Sequence, residues 1–278
     1  MKKTNNLRKK IIVPKKLNKK NLYSFFNKLK LNKLISISEN NIPLKVNEIV
    51  SKNLPEYPPM LEDLYRLYQF TTLNKRTTIL EFGSGWSTLI LFMALSQNKN
   101  NFISDVKRLR RNNAFEIFSV ENKKKYLQKT KEKLNKFAPK NLNLKAKINL
   151  IYSEVYMDKI NDRYCTKYKN LPLCNPDLIY LDGPNLFSTK NKINNFTVDH
   201  KDLMPMVGDI IRFENFLTPG TIIITDGRSA NAQFLNDNFK RNWLYEYDED
   251  FDQHLFYLDA KSLGKWNNLQ LKFYKNNI

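Results

Sequence analysis

The sequence predicts an α/β fold: a mostly parallel sheet of seven strands between two layers of helices, with an antiparallel strand near the C-terminus. Short β-branched and aliphatic runs alternate with longer stretches whose apolar residues recur at helical spacing, the order expected of parallel strands joined by crossover helices. The run Thr77-Thr78-Ile79-Leu80-Glu81-Phe82 ends in Gly83-Ser84-Gly85 and passes straight into an apolar stretch from Trp86 to Leu95. That is strand, tight loop and helix, the first half of a βαβ unit. The last two strand-like runs, 255–258 and 269–274, read as the antiparallel end of the sheet.

Residues 1–50 form a basic, partly ordered N-terminal extension in this reading, and 51–278 the main domain. The extension holds thirteen Lys or Arg against Glu39 and Glu48, so it carries +11 of the formal +20 of this 278-residue chain. Within it, Leu22 to Leu29 has the spacing of a short amphipathic helix, free to dock on the core, a partner or an anionic surface. Pro55, Pro58 and Pro59 then punctuate the chain, and Met60 to Leu73 carries an apolar helical stripe leading into the first strand. Tyr57, just before it, is placed to stack on a ligand or to join the core.

A basic insertion, Phe102 to Ala114, clusters Lys107, Arg108, Arg110 and Arg111. The second strand runs from Phe115 to Glu121 and is followed by a charged helix to about Phe137. Ile148 to Tyr152 is the third strand, and Met157 to Asn175, with both cysteines, reads as an insertion or loop. Pro176 to Asp182 is the fourth strand, broken sharply by Gly183-Pro184. A helix from Leu203 to Phe216 leads through Pro219-Gly220 to the fifth strand, Thr221 to Thr225, which ends in Asp226-Gly227-Arg228. A further helix covers about Ser229 to Phe239.

Composition narrows the function classes. Cys165 and Cys174 are too few for a disulfide framework and lack metal-ligand spacing, which makes a reducing cytosol the default. The basic start is followed by only Ile11-Ile12-Val13 before Pro14, too short for a secretory signal. No run reaches the ~20 apolar residues of a membrane span, so a soluble, cytoplasmic protein is expected. The +20 charge has two readings: phosphate contacts with nucleic acid, or the lysine, asparagine and isoleucine bias of an AT-rich genome.

The glycine loop decides between ligands. A dinucleotide fingerprint would place a third glycine at position 88, which is Thr88. Glu81, two residues before the first glycine, would repel a pyrophosphate and attract a cation. Glu121 closes the second strand, where an acidic residue accepts hydrogen bonds from ribose hydroxyls, although a gap of ~20 residues is more usual than this one. The basic insertion accounts for the excess. Asp182 stands at the carboxyl edge of the sheet, where open α/β folds hold substrates.

Together, Glu81-x-Gly83-x-Gly85, Ser119-Val120-Glu121, Leu181-Asp182-Gly183-Pro184, and Pro219-Gly220 before a strand ending in Asp226 resemble the class I S-adenosylmethionine (AdoMet)-dependent methyltransferases over roughly residues 60–278. The resemblance implies a three-layer Rossmann-like sandwich with AdoMet as cofactor. Gly83, Ser84, Gly85 and Ser87 would line its methionine part, Glu81 would face its cationic end, Glu121 would hold the ribose, and Ser153 and Glu154 would lie near the adenine. Asp182 would border the same site. Asp182 and Asp226 also look like the magnesium carboxylates of catechol O-methyltransferase-like enzymes. Gly227 stands where those enzymes add an Asn or Asp, so Mg²⁺ is the lesser expectation and no metal ligand is assigned.

No Asn-Pro-Pro-Tyr or Asp-Pro-Pro-Tyr motif follows the fourth strand, which argues against an exocyclic amine as acceptor. The resemblance then implies O-methylation of a small molecule or sugar. Asp182 and His200 are the candidate proton acceptors, His200 having the more suitable ordinary pKa of ~6.5. Arg228 could bind an acceptor anion or form a salt bridge within the fold. The competing function is a basic nucleic-acid-binding protein on a degenerate Rossmann-like scaffold, using residues 1–50 and the Lys107 to Arg111 cluster.

Overall fold

The computed structural model describes residues 4–40, 56–139 and 145–275. Its strands are β1 (Thr78–Phe82), β2 (Glu116–Glu121), β3 (Lys147–Tyr152), β4 (Val155–Ile160), β5 (Arg163–Tyr168), β6 (Leu178–Leu181), β7 (Ile222–Asp226), β8 (Trp243–Asp248) and β9 (Gln253–Leu258). Seven of them form one sheet in the order β3-β2-β1-β6-β7-β9-β8. Neighbours from β3 to β7 pair in parallel, while β9 runs against both β7 and β8. This is the Rossmann-like α/β arrangement that the sequence implied.

The helices are α1 (Thr4–Leu7), α2 (Lys19–Lys28), α3 (Asn32–Glu39), α4 (Leu61–Leu73), α5 (Trp86–Val106), α6 (Lys124–Phe137), α7 (Asp209–Phe213), α8 (Ser229–Asn238) and α9 (Gly264–Lys275). Central strands β1 and β6 are buried along their whole length, which is why their sequences run apolar without alternation. On one face Ile79, Ile117, Tyr180 and Ile224 meet Leu67 and Phe70 of α4, Leu91 and Leu95 of α5, and Phe273 of α9. On the other, Leu80, Phe82, Ile179, Leu181 and Ile223 pack with Ile210 of α7 and Leu235 of α8.

Of the three surfaces open to the N-terminal amphipathic helix, α2 takes the core. Leu22 and Phe26 are buried, and Phe25 meets Tyr65 and Tyr68 of α4 edge-on, with ring centroids 4.9 and 5.2 Å apart. Burying a side chain of this size is worth about 1.5–3 kcal/mol. Arg66 of α4, 1% exposed, holds the preceding segment in place: it donates to the Pro14 carbonyl, to Gln253 Oε1 and to Asp248 Oδ2 at 3.2, 2.9 and 2.9 Å.

Several boundaries differ from the sequence reading. The run 269–274 is not a strand but lies inside α9; Asn267, Gln270, Phe273 and Tyr274 are its buried residues, a helical spacing that the alternation of Leu269, Leu271 and Phe273 concealed. The remaining sheet strand is β8, whose partner β9 follows after a short 3₁₀ turn. The segment read as a loop from Met157 contains the antiparallel hairpin β4–β5. Asn161 and Asp162 at its turn both have positive φ, 49° and 58°, as a two-residue type I′ connection requires. Helix α7 is shorter than expected because residues 203–208, interrupted by Pro205, are not helical, and Val207 bridges to Thr166 of β5.

The amino ends of the central strands are stapled by Asp177, which is fully buried. Its carboxylate accepts from the Thr77 and Thr78 amides at 2.9–3.0 Å, from Thr77 Oγ1 at 2.6 Å and from Tyr274 OH at 2.7 Å, and pairs with Arg111 Nη2 at 3.4 Å. Burial alone would raise this carboxyl, but Arg111 and Arg76 outweigh it and hold Asp177 below the ordinary value. Its stabilisation is therefore complete above the unfolded pKa of about 3.9 and lost as pH falls through the lowered folded one. Asp177→Ala, which also leaves Arg111 buried and unpaired, is expected to cost about 3–5 kcal/mol in urea unfolding at neutral pH, with the difference shrinking in acid.

Candidate active site

The loop after β1 is shaped by a buried carboxylate. Glu81 is 0% exposed and accepts from Ser87 Oγ at 2.5 Å, Thr88 Oγ1 at 2.7 Å and Ser119 Oγ at 2.5 Å. These hydroxyls come from the first turn of α5 and the neighbouring strand, so Glu81 ties the start of the helix to β1 and β2. Burial pushes its carboxyl up to about 7 against the opposing pull of the three hydroxyls. Ser87 is thereby committed to Glu81.

Between them the backbone of residues 83–85 faces the carboxyl edge of the sheet. Gly83 has φ +106°, a conformation open to glycine. A Cβ there would meet the backbone of Asp182 and Gly183 at 3.2–3.3 Å. Gly183 is tighter still: its Cβ would fall 2.7 Å from the Gly83 nitrogen, 2.7 Å from Tyr168 OH and 2.9 Å from the Phe82 carbonyl carbon. The loops after β1 and β6 therefore touch main chain to main chain. Gly85 differs, being extended, with nothing within 4 Å of the place a Cβ would take. A ligand can lie against the chain there.

Glu121 ends β2 beside this loop and is 2% exposed. It accepts from the Lys123 amide at 2.8 Å and from Ser84 Oγ at 3.3 Å, and Asn185 Nδ2 stands 3.5 Å from Oε1. Burial lifts its carboxyl to about 7, opposed by the Lys123 and Asn122 amides and by Ser84. Asn122 Nδ2 donates to Ser188 Oγ at 2.5 Å and its Oδ1 accepts from the Asn185 amide at 3.2 Å, which ties the loop after β6 to the tip of β2. The Tyr168 hydroxyl is buried against Gly183 without a hydrogen-bond partner among the described residues.

Asp182 is the accessible member of the set, with a side chain 54% exposed. It nevertheless stands in a recess: the surrounding protein raises its carboxyl, and Arg228 pulls the other way. Arg228 donates to the Asp182 and Pro184 carbonyls at 2.8 and 3.1 Å, with Nε 3.7 Å from the Asp182 carboxylate. It is thus a clamp within the fold. Tyr57, 46% exposed, feels both Asp182 and Arg228. Its neighbour Glu56 pairs with Lys129 at 3.4 Å and also with Lys133 of α6, so residues 56–57 cross the front of the glycine loop.

Asp226 accepts from Tyr180 OH at 3.2 Å. Burial and the nearby carboxylates of Asp63 and Asp182 hold it above the ordinary range. Among the described residues no group of three or more His, Cys, Asp or Glu side chains that could hold a metal ion occurs. His200 has a side chain 62% exposed, 3.7 Å from the Asp202 carboxylate, and its Nδ1 accepts from the Asp202 amide. Glu154 is engaged with Lys169 and Lys190.

The structure thus gathers Glu81, Gly83, Ser84, Gly85, Ser87, Glu121 and Asp182 around the tips of β1, β2 and β6. No family model and no curated protein sequence matches the chain. Among solved structures it is similar to an O-methyltransferase from Bacillus cereus in complex with S-adenosylhomocysteine (SAH), with 14% identity over 81% of this chain and 96% of that one and a TM-score of 0.40. SAH-bound methyltransferase PaMTH1 from Podospora anserina gives 13% identity, 89% and 99% coverage and a TM-score of 0.42. A putative caffeoyl-CoA O-methyltransferase from Staphylococcus aureus gives 14%, 88%, 100% and 0.42. Likenesses at this level carry no residue-by-residue correspondence.

The sequence reading assigns no site role to Ser119, Asn122, Asn185 or Tyr168. The first three follow or precede recognisable strand ends by a few positions, a signal that was there to use; Tyr168 arrives by way of the hairpin and gave none. Gly183→Ala is expected to separate the two loops and abolish ligand binding at the strand tips, while Gly85→Ala, which meets no protein atom, leaves the melting temperature unchanged. Thermal unfolding with and without ligand checks both.

Proposed function

We propose that the chain is an AdoMet-dependent methyltransferase acting on a hydroxyl group of a small molecule or sugar. The observation that carries this reading is the pairing of a nearly inaccessible carboxylate, Glu121, with the open main-chain cradle at Gly85. A ribose diol is the hydrogen-bond donor pair that such a carboxylate accepts, and each bond to a charged acceptor is worth about 1.5–3 kcal/mol. The residues present fit the cofactor: Gly85 leaves room against the main chain, Ser84 and Glu121 face the same space, and the Tyr168 hydroxyl lacks a hydrogen-bond partner among the described residues.

When bound, AdoMet supplies a methyl group on a positively charged sulfur. The chain's own task is alignment, because an in-line displacement gains chiefly from fixed geometry. Glu81 fixes the loop from behind. Asp182, raised above the ordinary carboxylate range and reachable from solvent, is placed to take the proton of an acceptor hydroxyl; a raised pKa makes it a stronger base. His200 has no comparable position.

The basic cluster at 107–111 does not favour the nucleic-acid reading, since Arg111 is spent on Asp177 and Arg108 on Asp105. Calorimetry is expected to show AdoMet and SAH binding to the purified protein, with Glu121→Ala weakening both by at least about tenfold; no binding of either would refute the proposal. Glu81 and Glu121 lose protons as pH rises through about 7. AdoMet affinity should therefore rise between about pH 6 and pH 8 while that of SAH, which lacks the positive sulfur, changes less.

A further inference from the structure

The sheet ends on β3, and the side of that strand away from β2 carries no further strand among the described residues. The Lys147 and Ser153 amides donate to the Phe115 and Glu121 carbonyls at 2.9 and 3.0 Å, with residues 147–152 in parallel register with 116–121. Backbone direction alternates along a strand, so the N–H and C=O groups of Ile148, Leu150 and Tyr152 point along the open edge. Above that edge α6 leaves Leu127 and Leu134 half-buried, matching Ile148 and Leu150 below, and Tyr152 is 36% exposed. These side chains line a groove of about 650 Å³ rimmed by Lys124 and Lys131.

An exposed edge is ordinarily blunted by a charge, a proline or a bulge. Here the strand's own charge, Lys147, is paired with Glu116 at 3.1 Å. The rim charges are free to meet a partner: Lys131 has no ion pair among the described residues, and Lys124 lies over the Tyr152 ring at 5.1 Å. Lys124 and Lys131 are the charged residues lining the groove, and no acidic side chain lines it among the described residues, so its wall is positive.

The geometry points to this groove as the docking surface for an extended acidic protein segment, which pairs with β3 and turns one set of alternate side chains toward α6, apolar ones in its middle and carboxylates toward its ends against Lys124 and Lys131. Edge pairing supplies affinity through main-chain hydrogen bonds and selects by alternate side chains. A second copy of this chain is the poorer occupant, because two-fold pairing of β3 edges sets the same lysines against each other. Nucleic acid would meet the lysines but has no use for the aliphatic floor.

The test is fluorescence anisotropy of the full chain with a fluorescein-labelled peptide Glu-Thr-Glu-Thr-Val-Thr-Val-Thr-Glu-Thr-Glu, whose Val and Glu side chains share one face of the strand. Saturable binding is expected, weakened about tenfold or more by Lys124→Glu with Lys131→Glu, and likewise by Leu150→Pro, which removes an edge N–H that β2 does not use. A peptide N-methylated at every second amide replaces Leu150→Pro if that variant fails to fold, and should not bind. The exposed lysine pair should leave AdoMet binding unaltered. Absence of saturable peptide binding overturns the proposal, as does equal binding by the charge-reversed protein. So does a dimer in sedimentation velocity that the same substitutions dissolve, or binding of an oligouridine probe in place of the peptide.

Discussion

The site depends on one close approach, that of Gly83 to Gly183. Two loops from adjacent strands meet with no side chain between them, and this sets how far apart the tips of β1 and β6 stand. Gly83 turns the chain at positive φ so that Ser84 faces Glu121 and Gly85 is left open, while Gly183 turns the other chain so that Asp182 faces outward. A methyl group inserted at either position acts on the main chain rather than on a flexible side chain, and main chain in a close-packed interior has little room to yield.

The second constraint is electrical. A chain of formal charge +20 places Asp63, Glu81, Glu121 and Asp226 each within electrostatic reach of Asp182 at the carboxyl edge of its sheet. Burial keeps several of these carboxyls above the ordinary range, so part of the negative charge is masked by protons until a cation arrives. Such an edge discriminates by sign, and in this respect it is opposite to the helix-terminus sites that cradle pyrophosphate.

Much of this was legible in the sequence because strand ends announce themselves. Gly83-Ser84-Gly85, Glu121 and Asp182-Gly183-Pro184 each close an apolar run, and buried parallel strands have to end abruptly at polar residues. What was hidden came from elements with short period. The strand-like alternation at 269–274 belongs to a helix whose buried residues include polar Asn267 and Gln270. The hairpin β4–β5 lacks glycine at its turn, using Asn161 and Asp162 in left-handed conformations instead, so the segment looked unstructured. The inward turn of Glu81 was hidden for a different reason: nothing local says that three hydroxyls from two other elements will converge on it.

The Asp177 staple lies at the opposite end of the sheet from the ligand edge, and it draws together β1, the turn before β2, the entry to β6 and α9 through a single carboxylate. Rigidity is thereby concentrated at the amino ends of the strands, away from the proposed site. The loops at the carboxyl ends are released from holding the sheet together, so their sequences can vary while the folding machinery stays as it is.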